Sequence, residues 1–219
     1  MSEWSSPFPD GVAFVAVDPE VLSHDAAHPD ELAQLRPRVV DRRRREFVLG
    51  RIAARRAIEA LGHAPRPVLV GPQREPQWPP GLRGSITHCG DMAAAAVAEA
   101  SITEGLGLDV EDSRRITPDV EAMVTDASER RWSAGDPLRV AMLFSAKESI
   151  FKAFYRLRGE LFGFEAVRLR ATPEGLRATL RERLGPDHPA GAVVEVGCVR
   201  RGPLVMTSVL LPGRAQPSG

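Results

Sequence analysis

The sequence is poor in cysteine and in long apolar runs. Its two cysteines, Cys89 and Cys198, have no metal-ligand spacing and stand in apolar contexts, so we expect reduced thiols and no disulfide framework. No segment approaches the roughly 20 consecutive apolar residues of a membrane span, and residues 1–10 lack the basic start and apolar core of a secretion signal. The sequence therefore predicts a cytoplasmic protein that does not act in a membrane.

Neither sign of charge is in excess, since 29 basic residues balance 29 acidic residues. This balance disfavours a protein whose main task is to bind nucleic acid or an anionic membrane, so any anion site has to be local. Lysine is also scarce, because all basic residues except Lys147 and Lys152 are arginines. A compact ammonium can approach a single oxygen atom or lose its proton when buried, which a planar guanidinium does not do. The two lysines therefore mark one short segment as a candidate site.

The 219 residues, 43% of them hydrophobic, suffice for one large domain or two small ones. Helical spacing predicts helices at 38–61, 117–132 and 137–157. Apolar runs and alternation predict strands at 11–17, 85–89, 92–98, 105–111, 164–171, 176–184, 192–200 and 204–211. The alanine run in 92–98 is equally helical by propensity, so tertiary context decides there. The stretch 65–84, rich in Pro and Gly, predicts a structured loop between short extended pieces, and 212–219 predicts a frayed tail.

The order of these elements predicts an α+β fold, because strands follow one another and do not alternate regularly with helices. Each half of the chain offers a long helix and antiparallel strands, which indicates two similar α/β subdomains that meet near 101–108. We place the N-terminal subdomain at 1–106 and the C-terminal subdomain at 107–219.

Three acidic residues are candidates for a metal site. Asp109 and Glu111 share one face of the strand predicted at 105–111, and Glu148 lies on the later helix. Mg²⁺ suits such a set, because it takes a few carboxylates and keeps water or phosphate at its other positions. The alternative interpretation of Asp109 and Glu111 is a solvated strand face at a charged edge.

Glu148 and Lys152 stand four residues apart, in the order that favours a helical ion pair. One interpretation is a surface pair that contributes about 0.3 to 0.5 kcal/mol. The many apolar residues around them instead predict a partly enclosed position for Lys147, Glu148 and Lys152, where charges need partners.

Phosphate could be bound by two segments of the N-terminal half. Thr87 and His88 follow Gly84 and Ser85 near the predicted hairpin turn, where hydroxyls, backbone N–H groups and an imidazole can hold an anion. The alternative is a turn histidine that bonds a neighbouring carbonyl. The arginines at 42–45 are either a solvated helix start or a site where an anion offsets their poor placement at the positive end of the helix dipole.

Five segments in order resemble the 4′-phosphopantetheinyl transferases over about residues 38–165. They are Arg-Arg-Arg-Arg-Glu-Phe-Val at 42–48, Gly-Pro-Gln-Arg-Glu-Pro-Gln-Trp-Pro at 71–79, Gly-Ser-Ile-Thr-His at 84–88, Gly-Leu-Gly-Leu-Asp-Val-Glu at 105–111 and Phe-Ser-Ala-Lys-Glu-Ser-Ile-Phe-Lys-Ala-Phe at 144–154. The resemblance is closest to the monomeric type that activates siderophore synthases (surfactin and enterobactin type) and polyketide synthases, in the branch found in actinobacteria. Several ordered motifs make a chance match improbable, whereas each alone is a weak signal.

The resemblance implies transfer of 4′-phosphopantetheine from coenzyme A to a serine of a carrier protein, with release of adenosine 3′,5′-bisphosphate. The partners it implies are apo acyl or peptidyl carrier proteins of polyketide, nonribosomal peptide or fatty acid synthases. It also implies a pseudo-twofold fold, with the adenosine and phosphates of coenzyme A on the N-terminal subdomain and the metal and catalytic residues on the C-terminal subdomain.

The resemblance also implies roles for individual residues. Asp109, Glu111 and Glu148 would hold Mg²⁺, or Mn²⁺ in its place. Glu148 would activate the serine directly or through water, and Lys152 would stabilise charge on the reacting phosphate. The residues expected to contact coenzyme A are Arg43, Arg44, Arg51, Gln73, Arg74, Thr87, His88, Lys147 and Lys152. Relatives often carry a lysine where this chain has Gln73 and Arg74, so either Arg74 replaces it or the adenine-side contact differs.

Two other functions share part of this residue set. A metal-dependent nuclease would use the same carboxylates but should show a broad basic surface, which the charge balance disfavours. A non-catalytic coenzyme A-binding protein would keep the arginines and His88 without needing all three carboxylates.

Overall fold

The computed structural model describes residues 4–23, 27–36, 38–173 and 175–213. Within them the chain forms two compact units, the first reaching Thr103 and including Gly213, the second comprising residues 104–212. Both units contain helices and a sheet, so the fold is α+β and that prediction is confirmed. The division follows Thr103, whereas the sequence predicts it after residue 106.

The elements are as follows. The helices are α1 (Pro29–Leu32), α2 (Asp41–Ala60), α3 (Pro118–Val124), α4 (Ala127–Ser133) and α5 (Pro137–Arg158). The strands are β1 (Val12–Val17), β2 (Leu69–Val70), β3 (Pro76–Gln77), β4 (Leu82–Cys89), β5 (Met92–Glu99), β6 (Thr103–Asp112), β7 (Val167–Thr172), β8 (Gly175–Leu180), β9 (Val193–Arg201) and β10 (Leu204–Pro212). Short 3₁₀ turns cover Pro19–Ser23, Ser113–Arg115 and Phe164–Ala166. In the parts of the chain described above, no helix is long and apolar enough to cross a membrane.

The first unit is built around the alanine-rich strand β5. It lies between β1 and β4, antiparallel to both, and α2 packs on this sheet. Residues 93–98 are all 0% exposed. Alanine favours helix by propensity, but a central strand has both hydrogen-bonding edges satisfied, and its small side chains let α2 approach closely. Tertiary context therefore makes this run a strand.

The buried carboxylate of Glu31 anchors the loop between α2 and β4. Its Oε1 accepts the backbone N–H of Val68 at 2.9 Å, and its Oε2 contacts Nη1 of Arg55. Beyond this anchor β2 and β3 pair antiparallel through Leu69 and Gln77. The predicted structured loop with short extended pieces is confirmed.

In the second unit, two glycines bring α5 directly onto β6. The sheet has the strand order β6-β10-β9-β8-β7, and α5 packs against it. A Cβ on Gly105 would lie 2.2 Å from the carbonyl oxygen of Ala153, and one on Gly107 would lie 1.8 Å from that of Ser149. Any side chain at either position would push the two backbones apart. The close approach lets residues of α5 reach the polar end of β6.

The helix predicted at 117–132 is wrong in one respect, because two helices occupy this range. Thr125 is extended, and the Asp126 carboxylate accepts the backbone N–H groups of Ser128 and Glu129, while Glu129 accepts the N–H of Asp126. This reciprocal capping box starts a new helix, α4, and α3 ends at Val124, about two turns before the predicted end.

Several predicted boundaries also shift. The helix predicted from residue 38 begins at Asp41, residues 164–166 form a 3₁₀ turn ahead of β7, and the strand predicted to reach residue 184 ends at Leu180. Pro212 closes β10 instead of starting a frayed tail, and residues 214–219 of that predicted tail lie outside the described residues.

The ammonium group of Lys147 is buried inside the second unit. Its Nζ donates to Glu129 Oε2 at 2.8 Å and to the carbonyl oxygen of Val124 at 2.7 Å. The other carboxylate oxygen of Glu129 accepts the backbone N–H of Leu169 at 2.8 Å. Lys147 and Glu129 thus tie α5 to the end of α3, to α4 and to β7.

We expect Lys147→Ala to destabilise the fold, because it leaves the Glu129 carboxylate buried without its counter-charge. Breaking a buried pair costs about 3 to 5 kcal/mol. The matched control is Arg177→Ala, which breaks an exposed pair with Glu195 whose contribution should be about 1 kcal/mol or less. Urea unfolding measures both, and equal losses of stability in the two variants would contradict the structural role of Lys147.

Candidate active site

Lys152 on α5 forms an ion pair with Asp109 on β6. Its Nζ donates to Asp109 Oδ1 at 2.7 Å and to the carbonyl oxygen of Leu108 at 3.0 Å. The Lys152 side chain is 27% exposed and that of Asp109 only 8%. The helical pair with Glu148 that the sequence suggested is therefore replaced by a pair across two elements, which follows from the close contact of α5 with β6. The prediction that Lys152 is partly enclosed is confirmed.

Three carboxylates influence one another beside this ion pair. Burial and the charge of Asp109 raise the pKa of Glu111 to about 7. The charge of Glu148 adds to this rise, and the charges of Lys152 and Arg115 oppose it. Burial also raises the pKa of Glu148, which Lys152 lowers and Asp109 raises. Such coupling requires that the groups be close, so the structure brings Asp109, Glu111, Glu148 and Lys152 together.

The donor set fits a hard divalent cation in kind. Burial is the main cause of the raised pKa values of Glu111 and Glu148, and the charge of Asp109 adds to both. Carboxylate oxygens are the ligands that Mg²⁺ prefers. Among the described residues, no three His, Cys, Asp or Glu side chains already converge at ligand geometry. The cluster therefore offers the right chemistry, but its side chains are not already arranged around an ion.

The first unit contains a buried guanidinium at Arg51 of α2. Arg51 is 7% exposed, its Cζ lies 4.6 Å from the ring centre of Phe47, and its Nε has no hydrogen-bond partner within the described residues. Burial lowers the pKa of Arg51 to about 10, although the charge of Glu31 raises it. A buried cation whose donors are not all used is suited to an anionic ligand.

The carboxylate of Glu46 connects the start of α2 with β4. It accepts Arg42 Nε at 2.9 Å, and its Oε2 lies 3.8 Å from Arg43 Nη1 and 3.9 Å from His88 Nδ1. The Arg43 side chain is 51% exposed and that of His88 36% exposed, so both can also face a ligand. Sequence reasoning missed Glu46, which the four-residue spacing from Arg42 could have indicated.

The four remaining candidate residues of the first unit differ in their exposure. Thr87 is buried in β4, and Arg44 is exposed on the first turns of α2. Gln73 and Arg74 are exposed in the turn between β2 and β3, where Arg74 adopts a left-handed backbone with φ of 72° and the Gln73 N–H donates to Glu75.

Lys147 departs from the expected ligand-binding role. Because its Nζ is occupied by Glu129 and Val124 inside the unit, we assign it a structural role in place of contact with coenzyme A. Sequence reasoning missed Glu129 as its partner, since the two residues belong to helices that only the tertiary fold brings together.

Two family descriptions match the chain. Residues 31–98 match the 4′-phosphopantetheinyl transferase N-terminal domain, and residues 105–192 match the 4′-phosphopantetheinyl transferase superfamily. The second range contains every member of the carboxylate and lysine cluster, and the first contains Arg43, Arg51 and His88.

Individual relatives agree with this match. The chain is 41% identical over 159 residues to the 4′-phosphopantetheinyl transferase Svp of Streptomyces mobaraensis, covering 70% of this chain and 64% of that protein. It is 35% identical over 144 residues to PptT of Mycobacterium tuberculosis, covering 63% of this chain and 62% of the relative. It is 36% identical over 121 residues to enterobactin synthase component D of Escherichia coli K12, covering 51% of this chain and 55% of that protein. The chain thus aligns with less than two thirds of the length of these relatives.

A solved structure of holo-[acyl-carrier-protein] synthase from Thermotoga maritima is similar at a TM-score of 0.43 and 21% identity, covering 52% of this chain and 65% of that one. The two family descriptions match parts of the same kind of protein, in the expected order, and together span more than half of the sequence. The chain belongs to the 4′-phosphopantetheinyl transferase family.

Proposed function

We propose that this chain transfers 4′-phosphopantetheine from coenzyme A to a serine hydroxyl of apo carrier proteins and releases adenosine 3′,5′-bisphosphate. The observation that carries the proposal is the cluster of Asp109, Glu111, Glu148 and Lys152, which lies within the range matched by the superfamily. Phosphoryl transfer depends mainly on positioning and on neutralising charge, and this cluster supplies groups for both.

Glu148 and Lys152 have different roles in the proposed reaction. Glu148, whose pKa is raised by burial, accepts the serine proton directly or through water. The serine Oγ attacks the phosphorus attached to pantetheine, the bond from that phosphorus to the bridging oxygen breaks, and the bisphosphate leaves. Lys152 stabilises charge on the reacting phosphate.

Asp109, Glu111 and Glu148 are the residues that would hold Mg²⁺, with Mn²⁺ as the alternative ion. When bound, such an ion neutralises charge on the pyrophosphate of coenzyme A. Arg51, with Arg43 and His88 at the start of α2 and the end of β4, is proposed to bind the phosphates of the adenosine end. Arg44, Gln73, Arg74 and Thr87 stay predicted contacts of coenzyme A.

The proposal also covers the oligomeric state, the cellular compartment and the partners of the protein. We propose a monomeric enzyme of the cytoplasm, consistent with Cys89 and Cys198 being thiols and not a disulfide. Carrier proteins of siderophore, polyketide or nonribosomal peptide assembly are the proposed partners, and neither nucleic acid nor membrane is. The nuclease and the non-catalytic binder find no support, since both matched families are transferases.

Intact-mass measurement tests the proposal directly. The chain is incubated with coenzyme A, MgCl₂ and a panel of apo carrier proteins, with carriers whose acceptor serine is replaced by alanine as controls. We expect a gain of one phosphopantetheine on the serine-containing carriers alone, with stoichiometric release of adenosine 3′,5′-bisphosphate. Nucleotide cleavage without carrier modification would overturn it.

Mg²⁺ binding should depend on pH through Glu111. Without the ion, the raised pKa means that the folded chain holds this proton more tightly than the unfolded chain, so Glu111 lowers stability as pH rises from about 4.5 to about 7. Above pH 7 its charge favours the cation, so Mg²⁺ should raise the unfolding temperature more at pH 8 than at pH 6. Glu111→Gln should reduce this difference, leaving the part that Glu148 contributes, while Glu195→Gln on the exposed surface should keep all of it. An equal Mg²⁺ effect in all three proteins at both pH values would argue against the metal assignment.

Lys152→Arg should be far from conservative. A guanidinium is longer and planar, so it would clamp Asp109 with two hydrogen bonds, in place of the single contact of Nζ, and displace the charge meant for phosphate. We expect kcat to fall tenfold or more, about 1.4 kcal/mol in the barrier, with little change in coenzyme A binding. Steady-state kinetics beside Lys152→Ala measures this, and wild-type kcat in the arginine variant would reduce Lys152 to a structural pair.

Arg51→Ala should weaken binding of coenzyme A more than that of dephospho-coenzyme A, if its partner is the 3′-phosphate. Loss of one charge-assisted contact costs about 1.5 to 3 kcal/mol. Arg45→Ala is the control, since Arg45 is half-exposed on the same helix and pairs only loosely with Asp91, at 3.9 Å. Calorimetric titration of both ligands measures the effect, and equal losses for the two would move Arg51 away from that phosphate.

A further inference from the structure

A row of half-buried aromatic side chains runs along α5 on both sides of Glu148. Phe144 stands one turn before Glu148, Phe151 one turn after it and Tyr155 two turns after it, and all three are partly exposed. At spacings of four, three and four residues these side chains lie on one face of the helix. They lie outside the apolar core beneath α5, to which Ile150 and Phe154 contribute.

The segment after α5 extends this surface. The ring centre of Phe162 lies 5.2 Å from that of Phe151, and the ring centre of Phe164 lies 5.8 Å from that of Phe144. Directly before Phe162 in sequence, Leu161 is 73% exposed. We call the aromatic strip the set of Phe144, Phe151, Tyr155, Leu161, Phe162 and Phe164.

The strip concentrates a scarce residue type. Aromatic residues make up 5% of the sequence, yet the strip holds four of its 8 phenylalanines and its 1 tyrosine. Clustered aromatic side chains at a surface are characteristic of the energetic centre of protein interfaces.

Charges around the strip do not favour a partner of one sign. Glu160 and Glu165 on one hand, and Arg156 and Arg158 on the other, balance along this part of the chain. Arg158 is itself engaged, since its guanidinium lies 5.5 Å from the ring centre of Phe162 and pairs with Glu182. Recognition here therefore depends on apolar contact.

We propose that the aromatic strip is the docking surface of the carrier protein, which presents aliphatic or aromatic side chains around its acceptor serine. This inference rests on the proposed function. The serine has to reach the carboxylate of Glu148, so the protein that bears it covers the adjacent face of α5. The strip is the apolar surface on that face.

Leu161→Asp tests the proposal, because a side chain 73% exposed can be changed without disturbing the core. Val193→Asp is the matched control, since Val193 is an apolar residue of the same unit, 55% exposed, on strand β9. Apo carrier is titrated at saturating coenzyme A, and coenzyme A at saturating carrier, with the unfolding temperature and the size-exclusion profile of each variant recorded.

We expect Leu161→Asp to raise KM for the carrier about tenfold or more, with KM for coenzyme A unchanged. Val193→Asp should change neither constant. An unchanged KM for the carrier in Leu161→Asp would overturn the docking surface and leave the proposed function intact. A larger rise in KM for coenzyme A than for the carrier would assign the strip to the pantetheine arm. Dissociation of a wild-type dimer by Leu161→Asp would assign the strip to contact with a second copy of the chain. Either result would also overturn the proposed docking surface. Absence of transfer by the wild-type chain would overturn both proposals.

Discussion

The contact between the backbones of α5 and β6 determines the chemistry of the second unit. Gly105 and Gly107 leave no side chain between the strand and the carbonyl groups of Ala153 and Ser149. At this separation the side chain of Lys152 reaches both the carboxylate of Asp109 and the carbonyl oxygen of the preceding residue. Glycine is therefore required at these two positions for packing, and the ion pair follows from the packing.

The same contact concentrates negative charge in a partly buried place. Asp109 and Glu111 come from the strand and Glu148 from the helix. Burial is the main cause of the raised pKa values of Glu111 and Glu148, the charge of Asp109 adds to both, and Lys152 opposes both. In the first unit the charge is of the opposite sign, because Arg51 is a buried cation that lies over the ring of Phe47 and whose Nε has no hydrogen-bond partner within the described residues. An unfavourable charge in the folded protein is tolerated when a ligand of opposite charge offsets it. A metal ion for the carboxylates and a phosphate for Arg51 would be such ligands, and the proposed substrate, coenzyme A with Mg²⁺, would supply both.

The sequence predicted those parts of the fold whose signal is local and periodic. The hairpin of β4 and β5, the strand β6 and the helix α5 are placed to within a few residues, since their apolar patterns extend over whole elements. The break at Thr125 was missed because helical periodicity outweighed the Asp126 and Glu129 capping signal.

For the candidate site, the residue types that carry the chemistry could be predicted, whereas their partners could not. The structure pairs Lys152 with Asp109, Lys147 with Glu129, and Glu46 with Arg42. Of these three pairs only the last is local in sequence. In the other two pairs the residues are 18 and 43 positions apart. These pairs depend on the packing of α5, which cannot be predicted from sequence spacing.

The surroundings of Lys147 and Lys152 explain why a chain so rich in arginine has lysine only on α5. Lys147 fills a site with two oxygen acceptors and 3% exposure, where the five donors of a guanidinium would leave several unsatisfied in the interior. Lys152 faces a different constraint, since it has to contact one oxygen of Asp109 and still present charge to a phosphate. A tetrahedral ammonium can direct its three donors to different partners, whereas a planar fork directs two toward the same carboxylate. Both positions thus require a compact point charge, one for the stability of the unit and the other for the reaction proposed here.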